Sequence, residues 1–273
     1  MFRTALILML CLVPAVPAAS QDCLVFCAPG YPGTTDEAQP TMDRFAGGLA
    51  AAAGWEPGGL AAVYYPSGPA GLERLQTPDV VLAMVTLPFY LKHGETLKLD
   101  PVLAAVAAGE GDGAWSLVAA RDRLKQPGDL SGWTVTGLPA YHPGLVRGPV
   151  LSGWGDLPED TELKFTSRVL SSLRKASRGE NLAVLLDKTQ VEALPSLPYA
   201  ESLEVVYRSG PMPTSLLCVV DGRLPEERRT GLIRSLPGLE DSAAGAALLE
   251  TIRLERFVAL DRAALQRIAG ASD

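Results

Sequence analysis

From Cys23 onward, short apolar runs rich in β-branched residues alternate with stretches whose apolar positions recur every three or four residues. The first pattern suits buried strands and the second amphipathic helices, so the alternation predicts an α/β fold with mainly parallel sheets. Strands are expected at 23–28, 61–65, 80–85, 115–119, 133–137, 163–166, 182–186, 203–207 and 215–220, with helices in most gaps. In the first helix Thr34-Thr35-Asp36-Glu37 has the form of a capping box, Met42, Phe45, Ala46, Leu49 and Ala53 share one face, and Gly54 follows as a stop. Later helices are expected to begin near Pro88, Pro143, Thr189 and Pro225, since proline at a first helical position forfeits no hydrogen bond.

Two polar breaks divide the series. Gln126-Pro127-Gly128-Asp129-Leu130-Ser131-Gly132 precedes a fresh strand-helix run, and Arg208-Ser209-Gly210-Pro211-Met212-Pro213 interrupts the chain again. The expected organisation is two α/β lobes: residues 21–118 and 219–273 form the first and 119–218 the second. Two crossing segments, near 115–121 and 211–221, join them and leave a cleft between.

The N-terminus adds a destination. Arg3, the apolar run 5–13 and the small residues of 15–20 make residues 1–20 a signal peptide, with cleavage after Ala18 or after Ser20. The apolar run is shorter than the ~20 residues that span a bilayer, and Pro14 and Pro17 interrupt it, which favours a soluble exported or periplasmic protein over an anchored one. At 47% hydrophobic and 20% charged, the rest of the chain can bury one large or two modest cores. A net charge of -7 argues against nucleic acid as a partner.

Removal of the leader leaves Cys23, Cys27 and Cys218. Within one strand rising ~3.3 Å per residue, Cys23 and Cys27 are too far apart for the ~7 Å limit on bridged Cα atoms. Either can bridge to Cys218, or all three can serve as small buried hydrophobes. With only His93 and His142 and no close Cys/His spacing, no metal site is expected. The sequence also has no Gly-x-Ser-x-Gly elbow and no phosphate-binding Gly-x4-Gly-Lys-Ser/Thr loop, so neither a cofactor nor catalysis is expected; Cys27 with His142 is the one pair a cleft enzyme would use.

In open α/β sheets, ligands collect where strand ends lead into helix starts, whose free N–H groups attract anions. Three such loops stand out: 28–35 with Tyr31, Gly33, Thr34 and Thr35; 86–90 with Phe89 and Tyr90; and 138–144 with Tyr141, His142 and Gly144. The tyrosines can pack on a ligand and donate a hydrogen bond. Thr34 or Thr35 is also a helix cap, His142 a cap or a contact, and Asp187-Lys188-Thr189-Gln190 a capping box whose carboxylate can point into the cleft. Arg168, with Lys164 nearby, can pair with an anion.

Several segments carry a resemblance in order and spacing: Gly30-Tyr31-Pro32-Gly33-Thr34-Thr35 with Ala38-Gln39-Pro40, Ala70-Gly71-Leu72, Leu87-Pro88-Phe89-Tyr90-Leu91-Lys92-His93, Asp129-Leu130-Ser131-Gly132-Trp133-Thr134-Val135, Leu186-Asp187 and Arg208-Ser209-Gly210-Pro211-Met212-Pro213. Together they resemble the phosphate/phosphite/phosphonate-binding branch of ABC-importer substrate-binding proteins, over nearly the whole mature chain. The resemblance implies a type II periplasmic-binding fold and a monomer that closes by a hinge on a small, phosphonate-like oxyanion. Its expected partner is an inner-membrane ABC permease, through which alone it would meet the membrane. The chain departs from that branch at the Ser-Thr-Ser-Gly run that grips phosphonate oxygens: Tyr141-His142-Pro143-Gly144 stands there, and the branch's second-lobe histidine is replaced around Ser167-Arg168. The alternative role for the same closing lobes is ligand sensing for a membrane receptor.

Overall fold

A computed structural model describes residues 21–109, 111 and 113–272; the expected leader at 1–20 lies outside the described residues. Among the described residues no helix is long and apolar enough to cross a membrane.

The first described strand is β1 (Asp22–Cys27), whose alternating side chains serve two different cores. Leu24 and Phe26 meet α1 (Thr35–Ala52) through Phe45, Ala46 and Leu49, while Cys23, Val25 and Cys27 face the other side. Strands β2 (Leu60–Tyr65) and β3 (Val80–Thr86) flank β1 in parallel, and α2 (Gly68–Leu75) connects them. Both faces of β3 are covered, which explains its unbroken apolar run. Helix α3 (Leu87–His93) and strand β4 (Leu99–Ala107) follow.

The chain then leaves this sheet for a second one, made of β5 (Ser116–Ala120), β6 (Thr134–Gly137), β7 (Glu162–Phe165), β8 (Leu182–Leu186) and β9 (Leu203–Arg208) in the order β7-β6-β8-β5-β9. Its helical segments are α4 (Pro143–Leu145), continued by a wider turn Val146–Val150, then α5 (Val169–Ser177) and α6 (Lys188–Ala193). The chain returns as β10 (Ser215–Val220), followed by α7 (Glu226–Ser235), α8 (Ala243–Thr251), β11 (Leu254–Ala259) and α9 (Arg262–Gly270). The first sheet reads β11-β4-β10-β3-β1-β2.

Both sheets are mixed rather than mainly parallel. Strands β5 and β10 each enter from the opposite sheet and run antiparallel to their neighbours. The changes of sheet fall at 108–115 and 209–214, so the boundaries expected after 118 and after 218 lie inside strands. Two strands, β4 and β11, were not among those expected. Pro101 and an alanine-rich end weaken the strand pattern of β4, and β11 is a charged edge strand.

The two crossing segments are stitched together. Ser209 N donates to Trp115 O at 2.8 Å, and Trp115 N donates to Ser209 Oγ at 2.9 Å. Gly113, with φ +70°, lies so close to Met212 that a Cβ would stand 2.0 Å from the Met212 carbonyl oxygen. One contiguous apolar cluster extends through both sheets, from Val85, Leu87 and Phe89 to Leu138, Ala140 and Leu145. Cys23, Cys27 and Cys218 are buried free thiols within it.

Candidate functional site

After β1 the chain turns through Gly30 (φ +83°) and Gly33 (φ +97°). Gly30 N donates to Pro66 O at 3.1 Å, and the Tyr64 hydroxyl donates to Pro32 O at 3.0 Å, which fixes the loop to the end of β2. The second sheet's residues lie directly over Gly30: a Cβ there would be 2.7 Å from the Phe165 ring and 2.8 Å from Leu138. A larger residue would hold the two sheets' loops apart.

Facing this loop are two helix starts of the second sheet. The β7–α5 connection brings Ser167, Arg168, Leu170 and Ser171 to the wall, with Arg168 N donating to Thr166 Oγ1 at 3.0 Å. The β8–α6 connection brings Asp187, Thr189 and Gln190. Asp187 forms the expected capping box: its Oδ1 accepts from Gln190 N at 2.8 Å, and its own N–H donates to Gln190 Oε1 at 3.2 Å. Loop and helix starts together enclose a cleft of about 680 Å³.

The electrostatics of the cleft are asymmetric. Arg168 is exposed and forms no ion pair among the described residues. It is the residue before α5, whose first N–H groups lack intrahelical partners and gather partial positive charge. Burial pushes the Asp187 carboxyl up from its ordinary value, against the opposing effect of the Gln190 and Thr189 N–H groups. An anionic group therefore fits beside Arg168, with hydroxyls of Ser167, Ser171 and Thr189 in reach of the same space. Leu170, 64% exposed, adds an apolar contact.

Of the residues singled out from sequence, Tyr31, Gly33, Arg168 and Asp187 line this cleft together, and the others lie elsewhere. Thr34 caps α1, accepting from Glu37 N at 3.3 Å, and Thr35 is that helix's first residue. Phe89 is fully buried, with its ring stacked on Tyr141 at 6.1 Å. The Tyr141 hydroxyl meets His93 Nε2 at 3.1 Å, Phe165 packs edge-on at 5.3 Å, and Lys92 Nζ sits 4.7 Å from the Tyr141 ring centre. These aromatic rings fill the junction between the sheets, where a ligand was expected. Tyr90 is half-buried near Cys218, Asp100 and Arg262, and burial raises its hydroxyl's pKa. His142 Nδ1 accepts from Leu145 N at 3.1 Å, a cap, and Gly144 packs against the backbone of Ser272.

Leu170 and Ser171 were not singled out from sequence, Ser167 stood there only as part of the replacement of the branch's histidine, and Thr189 and Gln190 only as part of a capping box. The available signal was the polar run Thr166-Ser167-Arg168 directly after β7, the same strand-end rule that picked the other loops. Cys27, the thiol that a cleft enzyme would pair with His142, is fully buried, and burial pushes it up to about 12, where it stays protonated at neutral pH.

No protein-family model and no curated protein matches the chain. Solved structures do resemble it in shape. XAC2383 from Xanthomonas citri, bound to ATP, superposes with a TM-score of 0.68 at 15% identity, covering 93% of this chain and 97% of that one. A binding protein component of an ABC phosphonate transporter from Pseudomonas aeruginosa gives 0.61 at 15% identity, covering 92% and 85%. The alkanesulfonate-binding protein SsuA from Xanthomonas axonopodis pv. citri, bound to MOPS, gives 0.54 at 14% identity, covering 94% and 85%. With the two mixed sheets and their double crossing, these likenesses give the chain the type II periplasmic-binding fold.

Proposed function

We propose that the chain is an exported, non-catalytic solute-binding protein, the substrate-binding component of an ABC importer, which closes two lobes on a small ligand bearing an anionic group. The supporting observation is the cleft itself, where the glycine loop of the first sheet faces the starts of α5 and α6 and Arg168 stands beside free helix N–H groups. Its volume of about 680 Å³ suits a small solute. Likeness to a phosphonate-transporter component, to a sulfonate binder and to a protein bound to ATP makes phosphonates, sulfonates and nucleotides the ligand classes to try first.

In this reading the ligand docks on the Gly30–Gly33 loop, and the second lobe closes with Arg168, Ser171 and Gln190. The protein is a monomer, residues 1–20 are its export signal, and an inner-membrane permease takes up the closed form. Thermal unfolding against phosphate, phosphite, phosphonates, sulfonates, nucleotides and amino acids is the test. A ligand at 100 times its Kd adds ~2.7 kcal/mol to stability and raises Tm accordingly. A rise with anions alone is expected. Stabilisation by neutral compounds only would remove the role given to Arg168, silence across a broader solute panel would remove the binding role, and turnover of any compound would make the protein an enzyme.

A further inference from the structure

Gly144, expected at the ligand, lies instead against Ser272, together with Gly148 one turn later against Ala271. A Cβ on Gly144 would stand 1.7 Å from the Ser272 carbonyl oxygen, and one on Gly148 would stand 1.8 Å from that of Ala271. Both glycines belong to the helical stretch that follows β6 of the second sheet. The residues that fill the space they leave, Ala271 and Ser272, directly follow α9, which comes after β11 of the first sheet.

Helix α9 is anchored at both ends. At its start Asp261 Oδ1 accepts from Ala264 N at 2.9 Å, and the Arg262 guanidinium pairs with Asp100 of β4 at 3.1 Å. Its middle buries Leu265 in the apolar cluster that also holds Leu145, Val146 and Val150. At its end Ala271 N and Ser272 N continue the turn, onto Arg267 O at 3.0 Å and Ala269 O at 2.9 Å. Ser272 is only 4% exposed, and its hydroxyl donates to Ile268 O at 2.7 Å. The burial of Ser272 and these hydrogen bonds tie Ala271 and Ser272 down, so the segment after α9 does not fray.

We infer that α9 with Ala271 and Ser272 is a third, non-covalent tether between the sheets: a strap that holds the second lobe close to the first and sets the balance between open and closed forms. Side-chain contacts can slide, but a carbonyl seated on a glycine backbone tolerates no added carbon. Any rotation of the second lobe therefore has to carry the strap's end along or unseat it. The strap rests on the proposed closure of two lobes, yet it is testable without a ligand.

The experiment measures the distance between spin labels at Asp43→Cys on α1 and Lys175→Cys on α5, both exposed, in a chain that also carries Cys11→Ser, while the native Cys23, Cys27 and Cys218 are buried from the reagent. Two variants of the labelled full chain are compared with it: one ending at Gly270, which spares Leu265, and Gly148→Ala. Both are expected to lengthen and broaden the distance distribution in the absence of ligand. An unchanged distribution in a folded chain ending at Gly270 overturns the strap, whatever Gly148→Ala does; should that chain not fold, Gly148→Ala decides by the same criterion. The anion panel applied to the unmodified labelled chain separates the two readings. Distances that respond to an anion while the variants match the parent sink the strap alone, and distances deaf to every anion count against closure rather than against the strap.

Discussion

The Tyr141 hydroxyl and His93 Nε2 lie 3.1 Å apart, and this contact joins a loop of the second sheet to the last turn of α3 beside the first. Phe89 and Phe165 pack on the same tyrosine, so the polar pair is embedded in an aromatic junction. Tyr141→Phe keeps the ring and removes the hydroxyl. The expected cost is about 1 kcal/mol, read as a lower Tm or denaturation midpoint. A loss no larger than experimental error would show that packing alone holds the junction.

Acid should weaken the same junction. Burial, then Lys92, then His142 lower the His93 pKa below its ordinary 6.5. The unfolded chain thus takes up a proton more readily than the folded one, so this contribution to stability declines as pH falls through 6.5 and is constant well above it. Melting temperatures at pH 7.5 and 5.5 should differ more for the parent chain than for His93→Gln. Equal differences would mean that His93 is not the titrating group.

Substitutions at Arg168 and Asp187 test the proposed binding apart from folding. Arg168→Ala should weaken an anionic ligand by about tenfold or more, the worth of a hydrogen bond from a charged group, while leaving Tm unchanged because the side chain is exposed. Asp187→Asn keeps an acceptor for Gln190 N and should leave stability unchanged, whereas Asp187→Ala loses the cap at about 1 kcal/mol. Calorimetric titration with the best anion from the panel, beside melting of each variant, reads both effects. Full affinity in Arg168→Ala would move the anion site elsewhere.

At the crossing, Gly113→Ala meets both a positive φ and the Met212 carbonyl oxygen at 2.0 Å. Backbone strain in the left-handed region costs about 1 kcal/mol or more, and the clash adds to it. Denaturant unfolding should show a loss of at least that size. A neutral result would show that the crossing segments adjust freely.

Asp79 offers a second acid test, away from the cleft. Its bond to Arg74 holds the carboxyl well down, to about 2, and the two side chains meet at 2.5 Å. A depressed carboxylate contributes stability above its ordinary value of 3.8 and loses that contribution as pH falls toward 2. Because both partners are partly in solvent, the expected share is no more than about 1 kcal/mol. Asp79→Asn should flatten that part of the stability curve.

Local chemistry wrote much of this architecture into the sequence. The capping boxes at Thr34 and Asp187 depend on residues three positions apart, and both form as the sequence implies. Strands β1, β3, β8 and β10 announce themselves as apolar runs because both of their faces are covered. Strands β4 and β11 are quieter, since a proline, several alanines and an exposed edge dilute the same signal. The candidate site was legible only in part: strand ends that lead into helix starts can be named from sequence, and Tyr31, Gly33, Arg168 and Asp187 do share one cleft.

Which strand ends face each other is a different matter, decided by how two sheets approach across the crossings at 108–115 and 209–214. That approach brought α5 and α6 to the glycine loop, sent Phe89 and Tyr141 into an aromatic junction, and gave Gly144 to the end of the chain. Hydrogen bonds and periodicity within a dozen residues fix a helix or a strand. Contacts between residues 144 and 272 have no local pattern to betray them, because they depend on the shape of everything folded in between.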